Sequence, residues 1–117
     1  MFVNDCLNIN EKGHLTIGGC DTVELAKEYG TPLYVLDENT IRTTCRSYVE
    51  SFKKFYNGNG MPLYASKALS CKELCRIANE EHLGLDVVSG GEIYTAQQAG
   101  FPMEKTHFHG NNKTAAE

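Results

Sequence analysis

Three short apolar segments recur at an even interval in the second half of this chain, and that interval limits the fold more than anything else. Pro62-Leu63-Tyr64-Ala65, Gly84-Leu85-Asp86-Val87-Val88 and Thr106-His107-Phe108-His109 read as strands with centres about 22 residues apart, the length of a compact βα unit with short loops. Each of the first two leads into a segment with helical signals. Ser70-Cys71-Lys72-Glu73 and Ser89-Gly90-Gly91-Glu92 both have the Ser-x-x-Glu form of a capping box, in which the serine satisfies a free amide and the glutamate reaches back. Leu74, Ile77 and Ala78 supply an inner face for the first helix, and Ile93 and Ala96 for the second. Gly84 and Gly100 read as helix stops, with Pro102 beyond the latter.

Strands that alternate with helices imply a parallel sheet with helices on its outside. Such a start suits either a doubly wound sheet or a (β/α)8 barrel. Neither G-x-G-x-x-G nor a Walker A motif is present, so the phosphate-binding signature that favours a Rossmann-type sheet is missing. The fold class expected is therefore α/β, with the barrel preferred.

The first half is less regular. Leu7-Asn8-Ile9 and His14-Leu15-Thr16-Ile17 flank the turn-rich Asn10-Glu11-Lys12-Gly13, which predicts a hairpin over residues 3 to 19. A helix follows from about Val23 to Tyr29, stopped by Gly30 and Pro32. Leu33-Tyr34-Val35-Leu36 reads as a brief strand. A longer helix spans Glu38 to Tyr56, capped by Asp37, with Ile41, Cys45, Tyr48, Val49, Phe52 and Tyr56 along one face. Asn57-Gly58-Asn59-Gly60 ends it. The domains expected are a hairpin over residues 1–20 and a barrel portion over 21–117.

Composition sets limits on function. Hydrophobic residues make up 41% and charged residues 22%, enough for a packed core rather than disorder. The net charge of -4, without a basic cluster, argues against nucleic acid or an anionic membrane surface as partner. Five cysteines without regular spacing do not suit a secreted disulfide framework. With no basic leader before an apolar run, a cytoplasmic location is expected.

Lys67 stands two residues past the first of the three strands. The C-terminal strand ends of a (β/α)8 barrel carry its active site, and a partly enclosed lysine there has an amine freed for Schiff-base chemistry. Position alone leaves the ordinary reading ahead, a loop lysine with its head in water. Asp86 interrupts an apolar strand, which is costly unless the carboxylate is paired. Lys67, a cofactor nitrogen and a partner elsewhere in the core are all open as that pair. His107 and His109 share a strand face, but no further ligand has matching spacing, so packing or hydrogen bonding is preferred to zinc and no metal is expected. Cys71 and Cys75, four apart on a helix, read as small buried hydrophobes.

Tyr64-Ala65-Ser66-Lys67-Ala68 resembles the Tyr-Ala-x-Lys-Ala signature of the fold-type III, alanine-racemase-like enzymes that use pyridoxal 5'-phosphate (PLP). The segments 85–92 and 107–114, with Gly30-Thr31-Pro32-Leu33-Tyr34-Val35 before them, resemble the diaminopimelate branch of the ornithine/diaminopimelate/arginine decarboxylase family, in order and spacing across nearly the whole chain. The resemblance implies the N-terminal part of a PLP-binding (β/α)8 TIM barrel. It also implies PLP held on Lys67, with Asp86 near the cofactor and His109 and Asn111 as lesser pocket residues. The implied reaction converts meso-2,6-diaminopimelate to L-lysine and CO2, the last step of lysine biosynthesis, in a homodimeric parent.

Family members run to several hundred residues and add a β-domain, with which the hairpin would belong. The glycine-rich phosphate loop, the group that holds the pyridine nitrogen and the residues supplied across the dimer interface would lie beyond Glu117. The 117 residues alone are therefore expected to be inactive. Two alternatives stand beside this one: a decarboxylase of ornithine, arginine or a polyamine precursor, and a non-catalytic binding protein that reuses the fold.

Overall fold

The computed structural model describes residues 4–117. Met1 to Val3, which the expected 1–20 hairpin takes in, lie outside the described residues. The chain divides into two compact units, residues 1–43 and 44–117.

In the first unit, β1 (Leu7–Ile9) and β2 (Leu15–Ile17) pair antiparallel with Asn8 opposite Thr16. The tight turn between them is built by Asn10, whose Oδ1 accepts from the amides of Lys12 and His14, both at 3.0 Å. Gly13 there has φ +75°, a conformation that glycine adopts without a side-chain clash. A two-residue strand, β3 (Cys20–Asp21), extends this sheet beside β2 and leads directly into α1 (Thr22–Tyr29).

Asp21 is the cap of α1. Its Oδ1 accepts from the amides of Val23 (2.9 Å) and Glu24 (3.3 Å), and its Oδ2 lies 2.9 Å from His14 Nδ1 and 2.7 Å from Asn10 Nδ2. One carboxylate thus ties the hairpin turn to the helix start. Partial desolvation raises its pKa, but the bonds from His14, Asn10, Glu24 and Val23 outweigh it and hold the carboxyl well below its ordinary value of 3.8. A group whose folded pKa is depressed binds its proton more readily in the unfolded chain. Its stabilisation is therefore present above pH 3.8 and is lost as pH falls toward the folded value. Asp21→Asn keeps a capping oxygen but removes this charge. Its thermal midpoint is expected to lie below wild type at about pH 6, with the gap narrowing as pH falls below 3.8 toward the folded value. Equal midpoints at the higher pH would show that the carboxylate contributes nothing.

The expected strand at Leu33–Leu36 does not form. These residues are exposed, Tyr34 almost fully at 98%, and no described segment offers them a ladder. An apolar run becomes a strand only where a neighbour takes its amides and carbonyls.

Helix α2 (Glu38–Tyr56) begins in the first unit and ends in the second, at the bounds its periodicity predicts. Asp37 caps it through Oδ1, which accepts from the Thr40 amide at 2.7 Å. Within the second unit, Cys45 and Val49 pack against the core, whereas Tyr48 and Tyr56 stay exposed. Arg46 holds Glu81 by two bonds, Nε to Oε2 at 2.6 Å and Nη2 to Oε1 at 2.7 Å. This fork matches the planar geometries of guanidinium and carboxylate, and it satisfies a glutamate that is otherwise buried.

The rest of the second unit is a parallel sheet of β4 (Leu63–Ala65), β5 (Gly84–Val87) and β6 (Thr106–Phe108), in that order. Helix α3 (Lys72–Glu80) joins the first two strands and α4 (Gly90–Gln98) leads toward the third. The central strand decides the packing. Leu85 and Val87 are both fully buried, in a core with Cys75, Ala78, Leu83, Ala96 and Phe101. Because side chains alternate along a strand, Gly84 and Asp86 belong to the opposite face. Gly84 is not a helix stop: α3 has ended at Glu80, and Gly84 opens β5. A Cβ there would meet Leu63 Cδ2 at 2.5 Å and the Lys105 carbonyl oxygen at 2.6 Å, so close approach of neighbours requires the glycine. Gly100, by contrast, follows α4 with φ +71°, the left-handed stop expected.

Two parallel βα units with helices against one face are the opening of a (β/α)8 barrel. No described helix is long and apolar enough to cross a membrane.

Candidate active site

The strand register brings the chemistry-bearing residues together. Ala65 pairs with Asp86, and Asp86 with His107, so these three share the face opposite the helices. Lys67 and His109 lie two residues further along their own segments, at the C-terminal ends of the outer strands. Lys67 sits in a single 3-10 turn, Ser66–Ala68, that begins where β4 stops. Its side chain is exposed and makes no hydrogen bond or ion pair among the described residues.

Asp86 is partly exposed, and the group beside it is the His109 imidazole, not Lys67. Nδ1 of His109 lies 3.9 Å from Asp86 Oδ2. His109 falls one residue past β6, although its amide still donates to the Val87 carbonyl at 2.9 Å and so continues the ladder. Its imidazole is 73% exposed and His107 is exposed as well, so neither histidine packs in a core. Cys75 is buried, as expected of a small hydrophobe, while Cys71 is half-buried. Asn111 lies in the exposed residues after β6 with no hydrogen bond among the described residues.

The two predicted capping boxes turn out differently. Ser70 caps nothing: Cys71 is the residue before α3 and makes no side-chain cap, while Glu73 pairs with Arg76. At α4 the box forms. Ser89 Oγ accepts from the Glu92 amide at 3.3 Å and donates to Glu92 Oε2 at 2.9 Å.

Glu92 does more than the sequence reading assigned to it. Its buried carboxylate also accepts from the Val88 amide through Oε2 (3.0 Å) and from the Ser66 hydroxyl through Oε1 (2.5 Å). The same Ser66 hydroxyl is 3.2 Å from the Asp86 carbonyl oxygen. Burial raises the pKa of Glu92, but the donors from Ser66, Ser89 and Val88 prevail and hold it below the ordinary glutamate value. An anionic carboxylate is therefore fixed at the ends of β4 and β5, bonded to the residue that precedes Lys67. No local signal marks this, because Ser66 and Glu92 are 26 residues apart.

A parallel α/β sheet bearing an unpaired lysine, an aspartate and a histidine at its C-terminal strand ends has the framework of a (β/α)8 enzyme site. The chain belongs to the pyridoxal-dependent decarboxylase family: the family model "Pyridoxal-dependent decarboxylase, pyridoxal binding domain" matches residues 38–117. Among similar proteins are the diaminopimelate decarboxylases of Bacillus methanolicus, 53% identical over 117 residues, and of Bacillus subtilis (strain 168), 50% identical over 117 residues. Both alignments cover 100% of this chain, and respectively 27% and 26% of those proteins. The crystal structure of diaminopimelate decarboxylase from M. jannaschii in complex with L-lysine matches with a TM-score of 0.84 and 39% identity, over 97% of this chain and 27% of that one. The chain thus spans about a quarter of the length of these relatives, 27% and 26% for the two bacilli.

Proposed function

We propose that these residues form the first part of the cofactor site of a PLP-dependent decarboxylase that converts meso-2,6-diaminopimelate to L-lysine and CO2. The observation that carries the reading is the placement of Lys67, an amine free of partners at the end of β4, in a chain 53% identical to a diaminopimelate decarboxylase.

The donor set fits PLP. With PLP present, Lys67 Nζ would be the nucleophile that holds the cofactor through its aldehyde carbon. Asp86 and His109 stand at the adjacent strand ends and supply a carboxylate and an imidazole to orient the ring. When bound, PLP supplies the electron sink for the pair left on the α-carbon as CO2 departs. A proton then replaces the carboxylate at that carbon, which balances diaminopimelate plus a proton against lysine plus CO2. In a protein of the relatives' length, other residues would hold the phosphate and the substrate's distal end, and a β-domain would take up the hairpin of β1 and β2. The working protein is a cytoplasmic homodimer.

The test is an assay of the full-length protein with meso-diaminopimelate, ornithine and arginine, following CO2 and amine product. Lysine formation from diaminopimelate, with the other two turned over at least about a hundredfold more slowly, is the expected result. Preference for ornithine or arginine would move the reading to another branch of the family. PLP binding without CO2 from any of the three would favour a binding protein instead.

A further inference from the structure

We infer that Glu92 is a positioning residue for Lys67, acting through the Ser66 hydroxyl. The inference deepens the reading of Lys67 as the cofactor lysine and rests on it.

The Lys67 side chain makes no hydrogen bond or ion pair among the described residues. What is fixed is its neighbour. Ser66 is 1% exposed, and its hydroxyl lies between Glu92 Oε1 at 2.5 Å and the Asp86 carbonyl oxygen at 3.2 Å. A hydroxyl carries a single proton, and the charged, closer acceptor takes it. Glu92 is in turn immobilised from the other side by the Val88 amide and by Ser89, at the start of α4. The carboxylate therefore clamps the end of β4, the β5–α4 connection and the first turn of α4 to one point. The backbone that leaves this point toward solvent is Lys67.

A capping glutamate needs only the amides and hydroxyl of its own helix start. The additional bond to Ser66 reaches another strand and does nothing for the helix. Its effect is to set the direction from which the Lys67 side chain departs. A site of this kind loses effectiveness when a reacting group is displaced by even about an ångström.

The experiment uses the full-length protein and four variants: Glu92→Gln, Ser66→Ala, the double variant and Ser66→Thr. PLP affinity is measured by titrating the visible absorbance of the bound cofactor. Borohydride reduction followed by peptide mapping locates the attached pyridoxyl group. Thermal midpoints are recorded alongside. Glu92→Gln and Ser66→Ala are each expected to weaken PLP binding by about tenfold or more, the scale of a hydrogen bond to a charged group. Ser66→Ala removes the link and Glu92→Gln replaces its charged acceptor by a neutral one, so the double variant should be no worse than the poorer single one. Ser66→Thr, which retains the hydroxyl, should bind within about threefold of wild type.

Affinity within about twofold of wild type in both single variants overturns the inference, as does strict additivity in the double variant. Should Glu92→Gln fail to fold, Ser66→Ala decides alone, since it removes one hydroxyl. If borohydride fixes the pyridoxyl group of the wild type elsewhere than on Lys67, the underlying reading fails, and this is seen without any variant.

Discussion

Replacement of Lys67 by alanine is expected to lower decarboxylation by the full-length protein by about three orders of magnitude or more, the loss typical of removing a covalent nucleophile. The fold should survive. Lys67 is exposed and has no partner among the described residues, so its truncation leaves no cavity and no orphaned charge. The thermal midpoint of the cofactor-free protein should accordingly stay close to wild type, while borohydride no longer fixes PLP to the peptide containing residue 67. Lys67→Arg separates charge from nucleophilicity: the guanidinium keeps the positive charge but remains protonated, so it should be as inactive as the alanine variant. Activity retained in Lys67→Ala would remove the residue from the chemistry altogether.

The second large effect concerns the scaffold. Leu85 is 0% exposed at the centre of β5, and its core neighbours come from α3, from α4 and from the segments that follow them. Leu85→Ala removes apolar volume where β5 packs against α3 and α4, and leaves a cavity in that core. The expected loss is about 2–5 kcal/mol, read as a lower midpoint in urea with an unchanged slope. Leu85→Ile, which conserves volume, should cost less than about 1.5 kcal/mol. Since β5 also carries Asp86, Leu85→Ala should weaken PLP binding as well. Equal stability of the two variants would mean that the strand is not held by this packing.

Both outcomes turn on features with different visibility in the sequence. The strand positions were legible because the βα interval and the apolar runs are local. The bounds of α2 were legible because its period and its capping Asp37 belong to one continuous segment. The run at residues 33–36 misled for the opposite reason: a strand depends on a partner, and apolar content says nothing about whether one is present. Ser70 and Ser89 make the contrast sharper. Both begin a Ser-x-x-Glu quartet, but only Ser89 caps, as α3 starts one residue later than the motif suggests. Gly84 has the sequence signal of a stop, whereas its role is to let Leu63 and the Lys105 carbonyl come close.

The candidate site shows the same division. Asp86 stands out because it interrupts an apolar strand, whereas Lys67 has only its position past a strand end, and it is the resemblance of Tyr64-Ala65-Ser66-Lys67-Ala68 to a PLP-enzyme signature that turns that position into chemistry. His109 was placed on the strand with His107, whereas it lies just past β6 and reaches Asp86 at 3.9 Å. For Glu92, the sequence signals only half of a cap.

What the sequence determined by itself was the α/β class, the sites of the βα units and a candidate lysine at residue 67, all carried by short-range patterns of polarity and by a contiguous motif. Which residues meet was settled by tertiary structure alone. Parallel pairing sets Ala65, Asp86 and His107 in register and brings Ser66 onto Glu92 across 26 residues. Those distances follow from the pitch and stacking of strands in space, and no local pattern of residues encodes them.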